Sequence, residues 1–170
     1  MQNSVSSVIL DASAFYAGIP FLGSSKCYTT GSILNEIKHI KKAFSVIEAL
    51  IDAGNVVIKE PEKKYIGIAR EIARRSGDLV NMSDADLSVI ALALEMRDAN
   101  PMIVTDDYAI ANVAKLSNIK ISYVMSKGIS KVGRWIRYCT ACGICYTKNE
   151  KVCEICGNRL RARLKGVQKQ

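Results

Sequence analysis

The sequence predicts an α/β fold, a parallel sheet with helices on both faces, followed by a small cysteine-rich module. Three observations carry that expectation. Short apolar runs alternate with helix-period segments from residue 5 to about residue 125, and parallel strands need crossovers of helix length. The formal charge of +8 resides in the last forty residues: residues 1–130 hold 14 basic and 14 acidic side chains, whereas residues 131–170 hold ten basic and two acidic. Five of the six cysteines fall between Cys139 and Cys156.

Taken in order, residues 5–10 form an apolar run of strand length ending at Asp11, and residues 12–17 read as a helical turn. A helix starting near Ser32 carries Ile33, Leu34, Ile37 and Ile40 at helical spacing. A second helix, residues 41–53, is ended by the turn chemistry of Asp52-Ala53-Gly54-Asn55. Residues 56–58 are a short β-branched strand, and Pro61 precedes a helix with Ile66, Ala69, Ile72 and Ala73 on one face. Ser76-Gly77-Asp78 breaks the pattern, and Ser83 is the N-cap of a periodic helix bearing Leu87, Ile90, Ala91 and Leu94. Residues 102–105 are the next buried strand, Asp106-Asp107 opens a helix through Leu116, and residues 119–124 are the last strand.

The composition, 49% hydrophobic and 24% charged over 170 residues, excludes a disordered or collagen-like chain. It fits one domain with a small appendage. No run of ~18 apolar residues is present, and no basic region precedes the apolar N-terminus. The expectation is a soluble, cytoplasmic protein with no membrane partner.

Acids stand where strands end or helices begin: Asp11, the Asp84/Asp86 pair and the Asp106/Asp107 pair, with Glu36 inside an early helix. Sites in open α/β sheets gather beyond the carboxyl ends of strands. Clustered carboxylates repel unless a cation neutralises them, and Mg²⁺ or Mn²⁺ prefers oxygen ligands. One or two such ions would activate water for hydrolysis of a phosphodiester. Taken singly, each acid is equally a local device: Ser83-x-x-Asp86 is a capping box, Asp11, Asp106 and Asp107 are candidate caps, and Glu36 is a candidate solvated side chain.

Cys139-Thr140-Ala141-Cys142-Gly143 and Cys153-Glu154-Ile155-Cys156-Gly157 are two copies of C-x-x-C-G. That spacing lets each thiolate pair meet one ion, giving a closed, structural Cys₄ zinc site. Cys145 is left out of the paired pattern as a spare thiol, and Cys27 is a small apolar filler. Few apolar residues follow Val132, so metal binding should supply most of the module's folding free energy. Arg134, Arg137, Arg159, Arg161, Arg163 and Lys165 flank the cysteines, and alternation would set Arg159, Arg161 and Arg163 on one strand face suited to RNA phosphates. Trp135 and Tyr138 are either base-stacking or packing residues, and His39 is a surface residue.

The strings VILDASAF (residues 8–15), ILNEIK (33–38), MSDADLSVIALA (82–93) and IVTDDYAIANVA (103–114) resemble the successive motifs of PIN-domain ribonucleases. Together with the zinc ribbon that follows, they resemble the archaeal Nob-type endonucleases of small-subunit ribosome maturation. The resemblance spans nearly the whole chain. The alternation, the glycine and serines after residue 126 and the cysteine module divide the chain into a PIN-like domain over residues 1–126, a linker over 127–133, a zinc ribbon over 134–165 and a tail over 166–170. The resemblance implies an endoribonuclease that trims the 3′ end of the small-subunit (16S-type) ribosomal RNA precursor, using Mn²⁺ or Mg²⁺, with the pre-ribosomal small subunit and assembly factors as partners. The family acids fall on Asp11, Glu36, Asp86 and Asp107, with Thr105 beside the last; Asp84 and Asp106 are extra acids. Asp11, Asp86 and Asp107 are expected to be the main ligands, with Glu36 binding directly or through water. Two other readings are a non-catalytic RNA-binding assembly factor, whose acids only cap helices, and a PIN-type toxin.

Overall fold

The computed structural model describes residues 7–21, 26–39, 41–125, 133–146 and 150–166. Five parallel strands form the main sheet in the order β3-β2-β1-β4-β5: β1 (Ser7–Leu10), β2 (Cys27–Thr29), β3 (Val56–Ile58), β4 (Pro101–Val104) and β5 (Lys120–Ser122). Helices α1 (Ala12–Tyr16), α2 (Gly31–Ile37), α3 (Lys41–Asp52), α4 (Lys63–Ser76), α5 (Asp84–Glu95) and α6 (Tyr108–Leu116) connect and flank it. Most boundaries agree with the periodicity within a residue or two, and residues 5 and 6 of the expected first strand lie outside the described residues.

The sequence reading missed β2. Its three residues follow Lys26 and supply no apolar run. Their strand character comes from pairing with β1 on one side, Val8 opposite Cys27, and with β3 on the other, Cys27 opposite Val56. Cys27 is buried there as an apolar filler, and burial pushes its thiol up. The Thr29 hydroxyl donates to the Leu10 carbonyl at 3.0 Å.

Helix α5 is the hydrophobic centre: Ala85 and every residue from 87 to 94 are buried. A helix apolar on nearly all sides must be enclosed on nearly all sides, and α5 packs against α2, α4, α6 and the sheet. Its start is fixed by the expected capping box. The Asp86 amide donates to Ser83 Oγ at 3.1 Å, and the Ser83 amide donates to Asp86 Oδ2 at 2.7 Å. No helix among the described residues is long and apolar enough to cross a membrane.

The C-terminal module is an antiparallel sheet in the order β7-β6-β8, made of β6 (Gly133–Tyr138), β7 (Cys145–Tyr146) and β8 (Arg161–Gly166). Of the expected linker, residues 127–132 lie outside the described residues, and Gly133 is already the first residue of β6. Of the expected tail, Gly166 closes β8 opposite Gly133, and residues 167–170 lie outside the described residues. The module's own core is Cys139, Cys153 and Leu160, with Tyr146 packed against it.

Candidate active site and metal centre

Asp11 leaves the end of β1 and is 4% exposed. Its Oδ2 accepts from the Thr105 hydroxyl at 2.7 Å and from the Ser13 hydroxyl at 3.0 Å. Thr105 is itself fully buried just beyond β4, and its Oγ1 also accepts from the Asp107 amide at 3.0 Å. One hydroxyl therefore ties the acid of the first strand to the acid of the fourth. Asp107 caps α6, its Oδ1 accepting from the Ala109 and Ile110 amides at 2.7 and 2.9 Å.

Glu36 arrives on α2, whose start is fixed by Thr30: its hydroxyl accepts from the Ile33 amide and lies 2.7 Å from the Ser88 hydroxyl of α5. That buried hydroxyl pair holds the helix of Glu36 against the helix of Asp86. Ser83 completes the link, since its hydroxyl hydrogen-bonds the Glu36 carboxylate while accepting the Asp86 amide. The electrostatics report the convergence. Glu36 is exposed, yet partial desolvation and then the charges of Asp86 and Asp11 push its carboxyl above the ordinary value, against the Ser83 hydrogen bond. Burial pushes Asp86 up as well, with Asp107 and Asp11 adding to it and the Ser83 hydrogen bonds opposing it.

The two extra acids have other work. Asp84 is exposed and pairs with Arg70 at 2.8 Å. Asp106 accepts the Val124 and Met125 amides at 3.0 and 2.9 Å, one on each oxygen, pinning the chain after β5. His39 is exposed and lies 3.3 Å from the Tyr16 hydroxyl.

The donor set suits a hard cation. Oδ2 of Asp11, Oδ2 of Asp86 and Oδ1 of Asp107 are held by the fold. The second oxygen of each has no recorded partner among the described residues. Four mutually repelling carboxylates, two of them already pushed up in pKa, gain most from a divalent ion with oxygen preference. Among the described residues, no three of these carboxylates bring their oxygens together as closely as the thiolates bring their sulfurs. The fold supplies three unadvertised hydroxyls, Ser13, Thr30 and Ser83, whose roles a sequence shows only as caps and small polar residues.

The ligand atoms of Cys139, Cys142, Cys153 and Cys156 all lie within 4.8 Å of one another. Cys145 stands outside this group, with the Arg163 guanidinium donating to its sulfur at 3.4 Å. Two thiols are pulled down: Cys139, chiefly by the Cys142 amide, and Cys153 to about 6, chiefly by the Tyr146 hydroxyl. Cys142 is pushed up to about 12: the Ile144 amide pulls it down but is outweighed by Cys139 and Cys153. Cys156 is also raised, the Asn158 amide being outweighed by the neighbouring sulfurs. Without a cation only part of the cluster ionises, which is the situation a tetrahedral thiophilic ion resolves.

The sheet register sorts the basic residues. Directly paired residues of antiparallel strands share a face, and Arg134 pairs with Lys165, Ile136 with Arg163, and Tyr138 with Arg161. Arg134, Arg161, Arg163 and Lys165 therefore line one face with Tyr138, over whose ring the Arg163 guanidinium sits at 4.8 Å. The expected set is narrower than the sequence implied. Arg137 pairs with Ala162 and Tyr146 on the opposite face, and Arg159 precedes β8 in an isolated bridge to Val152. Trp135 pairs with Leu164 on that opposite face, where it meets the main domain.

Known proteins resemble the chain along most of its length. A family model described as the PIN domain of ribonuclease matches residues 8–96. The chain is similar to "Endoribonuclease Nob1" of Methanocaldococcus jannaschii, 35% identical across 92% of this chain and 77% of that one. It is similar to the protein of the same name from Methanothermobacter thermautotrophicus, 33% identical across 89% and 90%. "Ribonuclease VapC1" of Thermoplasma acidophilum is 35% identical across 90% of this chain and 76% of its own.

Proposed function

This chain belongs to the PIN-domain ribonucleases, in the group of the Nob1 endoribonucleases, and from that premise we propose that it matures the 3′ end of small-subunit ribosomal RNA. The activity is that of a divalent-metal-dependent endoribonuclease. The observation that carries it is the hydrogen-bond frame that joins four acids from four separate elements: Thr105 ties Asp11 to Asp107, and the Thr30–Ser88 hydroxyl pair holds the helix of Glu36 against that of Asp86.

Asp11, Asp86 and Asp107 would hold the cation through the oxygen each leaves unused, and Glu36 would bind it directly or through water. The ion, Mn²⁺ or Mg²⁺, supplies Lewis-acid activation of water and neutralises charge on the phosphodiester. The chain's own contribution is placement. Thr105 and Ser13 fix the Asp11 carboxylate, the α6 amides fix Asp107, and Ser83 orients both Asp86 and Glu36. Partial desolvation and the neighbouring acids raise the Glu36 and Asp86 carboxyls, so both would gain from the charge of a bound cation. Zn²⁺ on Cys139, Cys142, Cys153 and Cys156 would be structural, since four thiolates leave no open position. The face of Arg134, Arg161, Arg163 and Lys165 would carry precursor RNA within the pre-ribosomal small subunit, in the cytoplasm. We place the boundary between the nuclease domain and the ribbon at residues 127–132, and Arg137 and Arg159 become peripheral to RNA binding.

The test is cleavage-site mapping on precursor small-subunit RNA with Mn²⁺ or Mg²⁺, comparing the wild type with Asp11→Asn. Cleavage at the mature 3′ end by the wild type alone is expected. Equal cleavage by a folded, RNA-binding Asp11→Asn chain would remove the assignment. The match to Ribonuclease VapC1 across 90% of this chain favours a second reading, a ribonuclease of other RNA targets; preferred cleavage away from the ribosomal 3′ end would select it.

A further inference from the structure

We infer that Asp78, Asn112 and Trp135 form a lock that seats the zinc ribbon on the nuclease domain and fixes the basic face relative to the acids. Asp78, just past α4, is 2% exposed, and Asn112, on α6, is 4% exposed. The Asn112 Nδ2 donates to Asp78 Oδ2 at 2.7 Å and to the Gly133 carbonyl at 2.9 Å, while the Gly133 amide donates back to Asn112 Oδ1 at 3.1 Å. The side-chain amide thus stands in for a neighbouring peptide at the start of β6. Asp78 Oδ2 also accepts from the Ser76 hydroxyl at 2.6 Å, and Trp135, itself partly exposed, lies near enough to act with Ser76 and Asn112 in lowering the carboxyl against the burial that raises it.

The backbones on the two sides meet closely enough to dictate glycine. Gly77, the αL C-cap of α4, has φ +83°, and a Cβ there would lie 2.8 Å from Trp135 Cβ and 2.9 Å from its carbonyl oxygen. Buried polar groups with partners on both sides of a seam oppose its opening, because separation leaves them unpaired or requires water to enter. Helix α6 bears the lock at Asn112 and a site acid at its N-cap, Asp107, so the ribbon is seated on the element that carries the chemistry. A pre-organised second binding surface raises the effective concentration of RNA at the first.

The lock stands independently of RNA; its consequence for cleavage rests on the endoribonuclease reading. The experiment uses the zinc-loaded full chain. Trp135 is the sole tryptophan, so its anisotropy decay reports ribbon motion, and amide ¹⁵N relaxation compares the tumbling of residues 133–166 with that of residues 7–125. A single shared tumbling time is expected for the wild type. Asn112→Leu, with zinc content and circular dichroism retained, should shorten the ribbon's correlation time and add a fast anisotropy component. Should Asn112→Leu fail to fold, Trp135→Phe removes the indole donor and is read by relaxation alone. A wild-type ribbon that tumbles separately, or lock variants that still tumble as one body, would overturn the lock. With RNA long enough to span both surfaces, the variants should show a several-fold higher KM at nearly unchanged kcat, and an unchanged KM overturns the consequence. Absent cleavage by the wild type would instead sink the endoribonuclease reading and leave the tumbling result standing.

Discussion

Thr105 shows what a single buried hydroxyl does in this site. It donates to Asp11 and accepts from the Asp107 amide, so it sets the separation of two acids 96 positions apart in the chain. Partners of this kind around metal-binding carboxylates are worth ~10–100-fold in metal affinity or activity. Thr105→Val keeps the shape and deletes both bonds; titration with Mn²⁺ should show weakened affinity within that range, and wild-type affinity would remove Thr105 from the site. The acids themselves predict a pH dependence. Asp86 and Glu36 are pushed above their ordinary values of ~4. A carboxyl raised in the folded state binds protons there more tightly than in the unfolded chain, so its favourable contribution is complete below the unfolded value and is lost as pH rises through the folded one. The metal-free protein should therefore lose thermal stability from this pair as pH climbs above ~4. The Tm gain on adding Mn²⁺ should grow over the same interval, since the ion offsets the exposed repulsion. A Tm gain independent of pH would contradict the shared site.

At the scale of elements, capping and catalysis are one arrangement rather than rival explanations. Read in the sequence, Asp86 and Asp107 are each either a cap or a ligand; in the fold each spends one oxygen on its helix start, and the capping bonds among the described residues use only that one. Ser83→Ala tests the coupling. Loss of the cap should cost about 1 kcal/mol of stability by denaturant unfolding, and cleavage should fall by more than that loss explains, because Asp86 and Glu36 lose their common anchor. What was legible in the sequence follows the same logic. Helix α5 and the paired C-x-x-C-G turns declare themselves because their signals are local: a capping box with an apolar run, and two repeats of one spacing. β2 stayed hidden because three residues, Cys27–Thr29, owe their strand to neighbours far along the chain. Asp84 and Asp106 were inseparable from the site acids for a similar reason. Their assignment to Arg70 and to the Val124 and Met125 amides depends on which way a helix start faces in three dimensions.

At the scale of the whole molecule, the charge imbalance visible in composition becomes a surface. The sequence set six cations around the cysteines, and the register of β6 with β8 gathers four of them, Arg134, Arg161, Arg163 and Lys165, on one face. That face exists only while the ribbon is folded. A core of Cys139, Cys153, Leu160 and Tyr146 is too small to hold three strands and their turns without a metal. If all four cations meet phosphates of single-stranded RNA, log K should fall against log salt with a slope of about −3, and Arg161→Ala with Arg163→Ala should flatten it by about 1.4. Chelation of zinc should scatter the face and lower affinity for RNA while the buried main core keeps the nuclease domain folded. Filter binding across a salt series, run on the loaded chain, the double variant and the chelated chain, checks the set. A slope unchanged in the double variant would place RNA binding on the neutral domain and strip the ribbon of its electrostatic role.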